Sequence, residues 1–326
     1  MAVKILGTGS YLPPNIVTNA DLAKTLDTSD EWIVSHSGIH ARHIASEDES
    51  TSKLAVKACR AALDVAGVDP SEIDLILLAT CSSDYMLPSS ASLVQSALGC
   101  NRAFAFDLSA ACSGFVYSLE MVRSFLTLHH DAKALVVGAE TLSRIIDWKD
   151  RSSCILFGDG AGAAVVGWSD EDVGDVCHTY LRTDGSGYEV LVREGGCRVP
   201  LGDGPRPAAF LQMAGKAVFQ FAIKVMPQVV EKLCESAGIA TSDIDLFIPH
   251  QANIRIIDSA AKRLGIMRER VFTNIETVAN TSGASIPVAI DEAVRTGRLK
   301  AGMNVCFVGF GAGLTSGGVL TRWPYL

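Results

Sequence analysis

The sequence lacks the features that mark several large classes of protein. It has no run of roughly 20 apolar residues, because glycine, serine or charged residues interrupt every stretch, so we expect no membrane span. No apolar signal-peptide core precedes Gly7, which favours a cytoplasmic protein. The formal net charge of -8 argues against nucleic acid as a general partner.

The cysteines form neither a CxxC pair nor a metal-like spacing. There are nine of them in 326 residues, at positions 59, 81, 100, 112, 154, 177, 197, 234 and 306. In a chain of this length the scatter predicts reduced, mostly buried thiols and no metal site.

Two enzyme motifs are also missing. Residues 158–163 (GDGAGA) superficially fit the dinucleotide fingerprint G-x-G-x-x-A, but that motif must open a helix. The continuation at 164–168 (AVVGW) predicts a strand, so we expect no nicotinamide cofactor. No G-x-S-x-G elbow occurs, which argues against a serine hydrolase.

What the chain does contain is an internal repeat. Residues 66–75 (AGVDPSEIDL) are echoed at 237–246 (AGIATSDIDL), each after a helix-like segment and before a strand-like run. A second echo pairs 111–114 (ACSG) with 280–283 (NTSG). Whole units repeated in the same order indicate duplication.

The repeat predicts two similar halves, residues 1–170 and 171–326. Helices alternate with short β-rich runs, which indicates an α/β architecture with buried sheets. No Pro/Ser-rich linker separates the halves, so we expect them to pack as one unit.

Three strings bring together the residues of an acyl-transfer site. They are AACSG at 110–114, PHQAN at 249–253 and NTSG at 280–283. Cys112 supplies a nucleophile, and His250 and Asn280 supply two hydrogen-bonding partners, provided that they meet in the fold. Cys112 also opens a helix-compatible stretch, and the helix N-terminus predicts a lowered thiol pKa and a thiolate.

With four further strings, the sequence resembles the β-ketoacyl-acyl carrier protein synthase III family. These strings are GTGSYLP at 7–13, TSDEWI at 28–33, FGDGAGA at 157–163 and GFGAG at 309–313. The resemblance spans essentially the whole chain. It implies a thiolase-type fold, in which duplicated βαβαβ halves form a layered αβαβα sandwich with the active site at their junction.

The resemblance also implies the reaction. An acyl-coenzyme A primer loads Cys112, and decarboxylated malonyl-acyl carrier protein then attacks the acyl group. The products are 3-oxoacyl-acyl carrier protein, coenzyme A and CO2, and the step initiates fatty acid synthesis. His250 and Asn280 stabilise the enolate, and the backbone amides of Cys112 and Ala312 form the oxyanion hole. No cofactor is expected, because the coenzyme A thioester is a substrate.

Further residues match binding positions of the family. Trp32 and Arg151 are expected to sandwich the adenine of coenzyme A, and Asn253 to lie near the pantetheine arm. Gly215 and Phe219 are expected to line the substrate tunnel. Leu87 is expected to cap the acyl pocket from the partner subunit of a homodimer. Arg255, Lys262 and Arg263 share one helix face and predict a docking patch for the acidic acyl carrier protein.

The chain departs from the family at a few of these positions. His36 and Gln220 stand where relatives often have arginine and lysine, and Leu87 stands where they often have phenylalanine. The smaller Leu87 side chain suggests a primer that is longer than acetyl or branched.

Several neighbouring reactions can be weighed against this one. A biosynthetic thiolase would need a second cysteine in the loop at 309–313, and elongating condensing enzymes carry a histidine where Asn280 stands. Two alternatives stay open: a condensing enzyme or acyltransferase of secondary metabolism from the same family, and a non-catalytic acyl-binding protein. Primer length and the identity of the acceptor stay open as well.

Overall fold

The computed structural model describes residues 2–169, 178–195 and 210–324. The predicted boundary between the halves, at residues 170 and 171, lies outside the described residues, as do Cys177 and Cys197. The other seven cysteines are free thiols, and six of them are buried.

The strands of the described residues run in chain order. They are β1 (Ala2–Tyr11), β2 (Ile16–Thr18), β3 (Ala41–His43), β4 (Ile73–Ala79), β5 (Phe104–Leu108), β6 (Lys133–Glu140), β7 (Gly160–Ser169), β8 (His178–Thr183), β9 (Leu191–Arg193), β10 (Leu211–Met213), β11 (Leu246–Pro249), β12 (Asn304–Gly311) and β13 (Thr315–Arg322). The helices are α1 (Asn19–Leu22), α2 (Asp30–Ser37), α3 (Thr51–Ala66), α4 (Ser90–Leu98), α5 (Gly114–Leu128), α6 (Arg151–Cys154), α7 (Gly215–Ala237), α8 (Ile254–Leu264), α9 (Ile275–Val278) and α10 (Ser285–Arg295).

Two mixed sheets share a pattern of four strands. The first has the order β5-β4-β6-β7-β1 and the second the order β11-β12-β13-β8. In both sheets a parallel pair (β4 with β6, β11 with β12) is followed by two antiparallel pairings, and the first sheet has β5 as an additional parallel strand beside β4. Strand β7 begins at Gly160, within the glycine-rich segment at 158–163, which confirms that this segment does not open a helix.

Each sheet is covered on both faces, as the alternation of its side chains shows. In β4, Leu75 and Leu77 point into a central core, whereas Ile76 and Leu78 point into an outer core with α3 and α4. In β12, Phe307 belongs to the central core and Cys306 to the outer core beneath α7 and α8. Helices α5 and α10 fill the layer between the sheets. The result is the predicted αβαβα sandwich.

The internal repeat has a structural counterpart at the start of the paired strands. Asp74 accepts a hydrogen bond from the backbone N–H of Lys133, and Asp245 accepts the same bond from Asn304. Each aspartate therefore joins the beginning of one parallel strand to the beginning of its neighbour. The Ile-Asp-Leu triplet common to both repeats supplies this carboxylate at each place.

The second echo is real but shifted. Ala111 and Ser282 both have φ of +47°, and each begins a single 3-10 turn that leads into a central helix. Ser282 is therefore the backbone counterpart of Ala111, whereas the letters ACSG and NTSG would have paired Ala111 with Asn280.

Among the described residues, no helix is both long and apolar enough to cross a membrane.

Candidate active site

One cavity of about 470 Å³ lies where the two central helices begin. Cys112, His250, Asn280 and Ala312 all line it, so the fold brings the predicted catalytic residues together. Its other walls are mainly apolar and include Leu108, Leu142, Ile145, Phe157, Leu191, Leu211, Met213, Val218 and Phe310. The site can therefore hold an apolar group beside a thiol and two nitrogen-bearing side chains.

Cys112 is held in a tight turn ahead of α5. The residue before it, Ala111, has a left-handed backbone, which is uncommon for a residue with a side chain. The glycines of β12 let this turn pack closely: a Cβ at Gly309 would lie 2.8 Å from the Cys112 carbonyl oxygen, and one at Gly311 2.8 Å from the Cys112 nitrogen. Small residues in β12 therefore fix the nucleophile against the second sheet.

The electrostatics of Cys112 differ from the sequence-based expectation. Burial raises the pKa of its thiol to about 12, and this outweighs the lowering effect of a hydrogen bond with Ser282. The prediction of a resting thiolate is therefore wrong: desolvation in a closed apolar site disfavours the charge more than the helix N-terminus favours it. The Cys112 side chain is therefore a neutral thiol at physiological pH.

His250 follows the carboxyl end of β11, and its backbone N–H donates to Val308 in β12. Its ring lies edge-on to Phe310, with 5.4 Å between ring centroids. Burial lowers the pKa of His250 to about 3, so the imidazole is neutral at physiological pH. Nδ1 is buried and has no hydrogen-bond partner among the described residues. These surroundings favour the tautomer with its proton on Nε2, because Nδ1 then has a lone pair, and no N–H donor, without a partner.

Asn280 precedes the second central helix and is oriented by its own turn. Its Oδ1 accepts a hydrogen bond from the Ser282 backbone N–H at 2.9 Å, and its backbone bonds to Leu156 and Gly158 on either side. Because Oδ1 is used in this way, the amide nitrogen supplies the donor on the cavity side. Asn280 and His250 thus each present a neutral N–H donor.

Ala312 lies on the loop that follows β12 and lines the cavity. Only Ala111, Ala279 and Ser282 among the described non-glycine residues have a positive φ, so alanine at 312 is unstrained. Its backbone is held by the Thr315 hydroxyl, which donates to the Ala312 carbonyl at 3.0 Å. Alanine at position 312 is therefore compatible with a backbone N–H donor to the oxyanion.

Trp32 and Arg151 contact each other directly. The guanidinium carbon of Arg151 lies 4.9 Å from the centroid of the Trp32 ring, and the His36 ring stacks on the same indole at 4.2 Å. The three side chains form an aromatic and cationic cluster. A flat heterocycle would have to enter this stack by displacing one of its members.

Three predicted substrate-binding residues, one expected near the pantetheine arm and two in the tunnel, lie beside the cavity and do not line it. Asn253 caps α8 by accepting from the Arg255 N–H, and its amide donates to the His36 carbonyl. The guanidinium of Arg255 lies over the Phe219 ring, with 5.8 Å between Arg255 Cζ and the ring centroid. Gly215 is exposed at the start of α7. Their neighbours Ala252 and Val218 do line the cavity, so these residues lie at its margin.

The remaining predicted residues are on the surface. Leu87 is 87% exposed in the single chain and does not line the cavity. Arg255, Lys262 and Arg263 are all exposed on α8, with the last two in its final turn.

Within the described part of the chain, no group of three or more His, Cys, Asp or Glu side chains could hold a metal ion.

Sequence reasoning missed three polar residues behind the nucleophile: Cys81, Ser282 and Glu140. Cys81 was expected to be an ordinary buried thiol, yet it lines the cavity together with Ser282. Ser282 falls within the string NTSG, which was the only signal for it. Glu140 ends β6 and is fully buried, and a carboxylate at the end of an apolar strand could have singled it out.

Comparisons with known proteins identify the family of this chain. Residues 106–185 match the family described as 3-oxoacyl-[acyl-carrier-protein] synthase III, and residues 234–323 match its C-terminal part. A β-ketoacyl-[acyl-carrier-protein] synthase III of Thiobacillus denitrificans is 49% identical over 321 residues, 98% of this chain and 99% of that protein.

Two solved structures are similar over nearly the whole chain. The 3-oxoacyl-[acyl-carrier-protein] synthase III of Aquifex aeolicus is 43% identical with a TM-score of 0.92, covering 98% of this chain and 100% of that one. The priming β-ketosynthase of the R1128 polyketide pathway is 38% identical with a TM-score of 0.93, covering 99% and 97%. This chain therefore belongs to the β-ketoacyl-[acyl-carrier-protein] synthase III family.

Proposed function

We propose that this protein condenses an acyl-coenzyme A primer with malonyl-acyl carrier protein through an acyl-Cys112 intermediate. The products are 3-oxoacyl-acyl carrier protein, coenzyme A and CO2, and the reaction initiates fatty acid synthesis. The observation that carries the proposal is the convergence of Cys112, His250 and Asn280 in one largely apolar cavity. Membership of the family supports the same reaction.

In the first half-reaction, the Cys112 sulfur attacks the thioester carbonyl of the primer. The carbonyl oxygen becomes negatively charged, and the backbone amides of Cys112 and Ala312 donate to it. The carbon–sulfur bond to coenzyme A then breaks, so one thioester replaces another. The apolar walls of the cavity shelter the acyl chain.

In the second half-reaction, the malonyl group loses CO2 and leaves an enolate on its thioester oxygen. His250 and Asn280 each offer a neutral N–H to that oxygen. Burial keeps the pKa of His250 near 3, so the imidazole donates a hydrogen bond without giving up its proton. The enolate carbon attacks the acyl group, and the Cys112 sulfur leaves.

The carrier of the primer is bound at the margin of the cavity in this proposal. Trp32 and Arg151 hold the adenine of coenzyme A, which enters by displacing one member of the stack that these two side chains form with His36. Asn253, Gly215 and Phe219 border the pantetheine path. No resident cofactor takes part, because coenzyme A enters and leaves as a substrate carrier.

Acyl carrier protein docks on α8 in this proposal. Arg255, Lys262 and Arg263 are exposed there, and Lys262 and Arg263 form no ion pair among the described residues. Three cations on a chain with a net charge of -8 form a local site for an acidic partner.

The protein is proposed to work as a cytoplasmic homodimer. Strand β5 is at the edge of its sheet, and Phe104 and Phe106 are 50% and 44% exposed on it. Met86 and Leu87 are exposed on a loop nearby in sequence. Apolar surface of this kind favours association of two copies, which would let the partner's Leu87 cap the acyl pocket.

Mass spectrometry of the intact protein tests the proposal. The protein is mixed with a series of acyl-coenzyme A thioesters and then with malonyl-acyl carrier protein, and Cys112→Ala serves as the control. We expect an adduct that requires Cys112 and disappears in the chase as 3-oxoacyl-acyl carrier protein forms. An adduct that persists in the chase would indicate an acyltransferase instead, and the absence of any adduct would indicate an acyl-binding protein.

A second candidate is the priming step of a polyketide pathway. The similarity to the R1128 priming β-ketosynthase over 99% of this chain favours it. The chemistry at Cys112 would be the same, and the acceptor carrier protein would differ. Parallel chases with a fatty-acid and a polyketide carrier protein separate the two, since the physiological acceptor should give the larger kcat/KM.

A further inference from the structure

A chain of hydrogen bonds connects the Cys112 thiol to a buried carboxylate. Cys112 Sγ lies 3.4 Å from Ser282 Oγ, Ser282 Oγ lies 3.3 Å from Cys81 Sγ, and Cys81 Sγ lies 3.1 Å from Glu140 Oε1. The four side chains come from the N-terminus of α5, the turn before α10, the end of β4 and the end of β6. Ser282 is the central link, because its hydroxyl contacts both thiols.

The donors of this chain can all point the same way. The Cys112 thiol donates to Ser282, and the Cys81 thiol donates to Glu140. Either partner of the middle contact can be the donor, so the Ser282 hydroxyl can donate to Cys81. A proton can therefore move from Cys112 to Glu140 by three short shifts, without any side chain changing its position.

Glu140 has the surroundings of a proton acceptor. It is fully buried and takes part in no ion pair among the described residues. It accepts hydrogen bonds from the hydroxyls of Thr80 and Ser82 and from the backbone N–H groups of Cys81 and Gly283. Burial raises the pKa of its carboxyl group, which favours taking up a proton.

The proposed reaction needs such an acceptor. Cys112 must lose its proton when it attacks the thioester, and it rests as a thiol because burial raises its pKa to about 12. His250 is a poor base, since burial lowers its pKa to about 3. Among the described polar side chains lining the cavity, Ser282 is the one hydrogen-bonded to the Cys112 sulfur.

We propose that Ser282, Cys81 and Glu140 form a proton relay that deprotonates Cys112 during acylation and returns the proton when Cys112 leaves. As the sulfur–carbon bond forms, the Cys112 proton moves to Ser282, the Ser282 proton to Cys81 and the Cys81 proton to the Glu140 carboxylate. Coenzyme A leaves as a thiolate and takes a proton from solvent.

The relay then runs in reverse in the second half-reaction. When the condensation breaks the bond between the acyl carbon and Cys112, the Glu140 proton returns through Cys81 and Ser282 to the sulfur. The cycle closes with one proton taken from solvent, which ends on coenzyme A. This inference rests on the proposed function, because it assumes that Cys112 is acylated and released.

Variants at Cys81 test the relay with little change in volume. Serine has a hydroxyl that can pass a proton, whereas alanine breaks the chain. The acylation rate of Cys112 is measured by rapid quench and intact mass from pH 6.5 to 8.5, with thermal denaturation to check folding. Cys59→Ala, which removes a buried thiol in the outer core of the first sheet, is the control for loss of a thiol alone.

We expect Cys81→Ala to acylate at least about 10-fold more slowly at pH 7, since internal acid–base catalysis typically contributes about 10²-fold or more. Its rate should rise about tenfold per pH unit, because a thiolate with a pKa near 12 must then form by itself. The wild-type protein and Cys81→Ser should show a flatter profile. The titratable groups of the relay are Glu140 and the two thiols, and the other titratable or charged side chains that line the described cavity are His250, Tyr117 and Arg193.

Two results would overturn the relay. One is a Cys81→Ala protein that acylates as fast as the wild type with the same pH profile. The other is an equal loss in Cys81→Ala and Cys81→Ser, which would assign Cys81 to packing. In both cases the wild-type adduct and its chase to product would still stand, so failure of the relay is distinct from failure of the proposed function.

Discussion

Gly311→Ala should displace the nucleophile without changing any reacting group. A Cβ at Gly311 would lie 2.8 Å from the Cys112 nitrogen and 3.2 Å from its Cβ, and an ordinary contact begins at 3.4 Å. Backbone cannot rotate away as a flexible side chain can, so the Cys112 turn and β12 must separate by about 0.6 Å or more. Displacements approaching 1 Å in an active site can cost about 10²-fold in rate.

We therefore expect Gly311→Ala to acylate Cys112 about 10²-fold more slowly and to lose about 1–3 kcal/mol of unfolding free energy, the usual effect of overpacking. Rapid-quench mass spectrometry measures the first quantity and chemical denaturation the second. The φ of Gly311 is not positive, so the effect comes from the contact alone.

Gly185→Ala is the matched control for this prediction. A Cβ there would have no atom within 4 Å, and the φ of Gly185 is not positive either. We expect wild-type behaviour from this variant. A Gly311→Ala protein that acylates at the wild-type rate would refute the close packing of β12 against the nucleophile.

Three further predictions follow from the site and its surroundings. Asn280→Ala should leave the acyl adduct intact but slow its chase by malonyl-acyl carrier protein by about 10²–10³-fold, as measured by product release, because it removes one donor to the enolate. The pKa of His250 is about 3 in the folded protein and about 6.5 in the unfolded chain. Its neutral side chain therefore contributes stability that is present above about pH 6.5 and is lost as the pH falls toward 3. The pH dependence of the unfolding free energy over this range should become flatter in His250→Gln. A double Lys262→Glu, Arg263→Glu variant should raise the KM for malonyl-acyl carrier protein and leave acylation by acyl-coenzyme A unchanged, whereas equal effects on both would contradict docking on α8.

Much of the fold follows from patterns that are local in the chain. The β-rich runs at 76–79, 104–108, 134–138 and 305–309 predict strands. The structure has β5 with the predicted bounds and extends the other three runs by one to three residues at their ends, as β4, β6 and β12. The layer order also follows, because alternating buried side chains on both faces of a strand require cover on both faces. Cys112, His250 and Asn280 were found because each lies in a distinctive string.

What the sequence did not reveal depends on contacts between distant segments. The pKa of Cys112 is set by how completely the fold removes water around it, which no motif records. Cys81, Ser282 and Glu140 meet only because the ends of β4 and β6 lie beside the turn before α10. The shift in the second repeat likewise became visible only through the backbone angles of Ala111 and Ser282.

The site of acylation is the most direct test of the account, because two thiols line one cavity. The wild-type protein and Cys81→Ala are loaded with an acyl-coenzyme A primer and digested at low pH, and the acylated peptide is sequenced by mass spectrometry. We predict the acyl group on Cys112 in both proteins. An acyl group on Cys81 in the wild type, with none on Cys112, would contradict the assignment of the nucleophile on which the proposed mechanism rests.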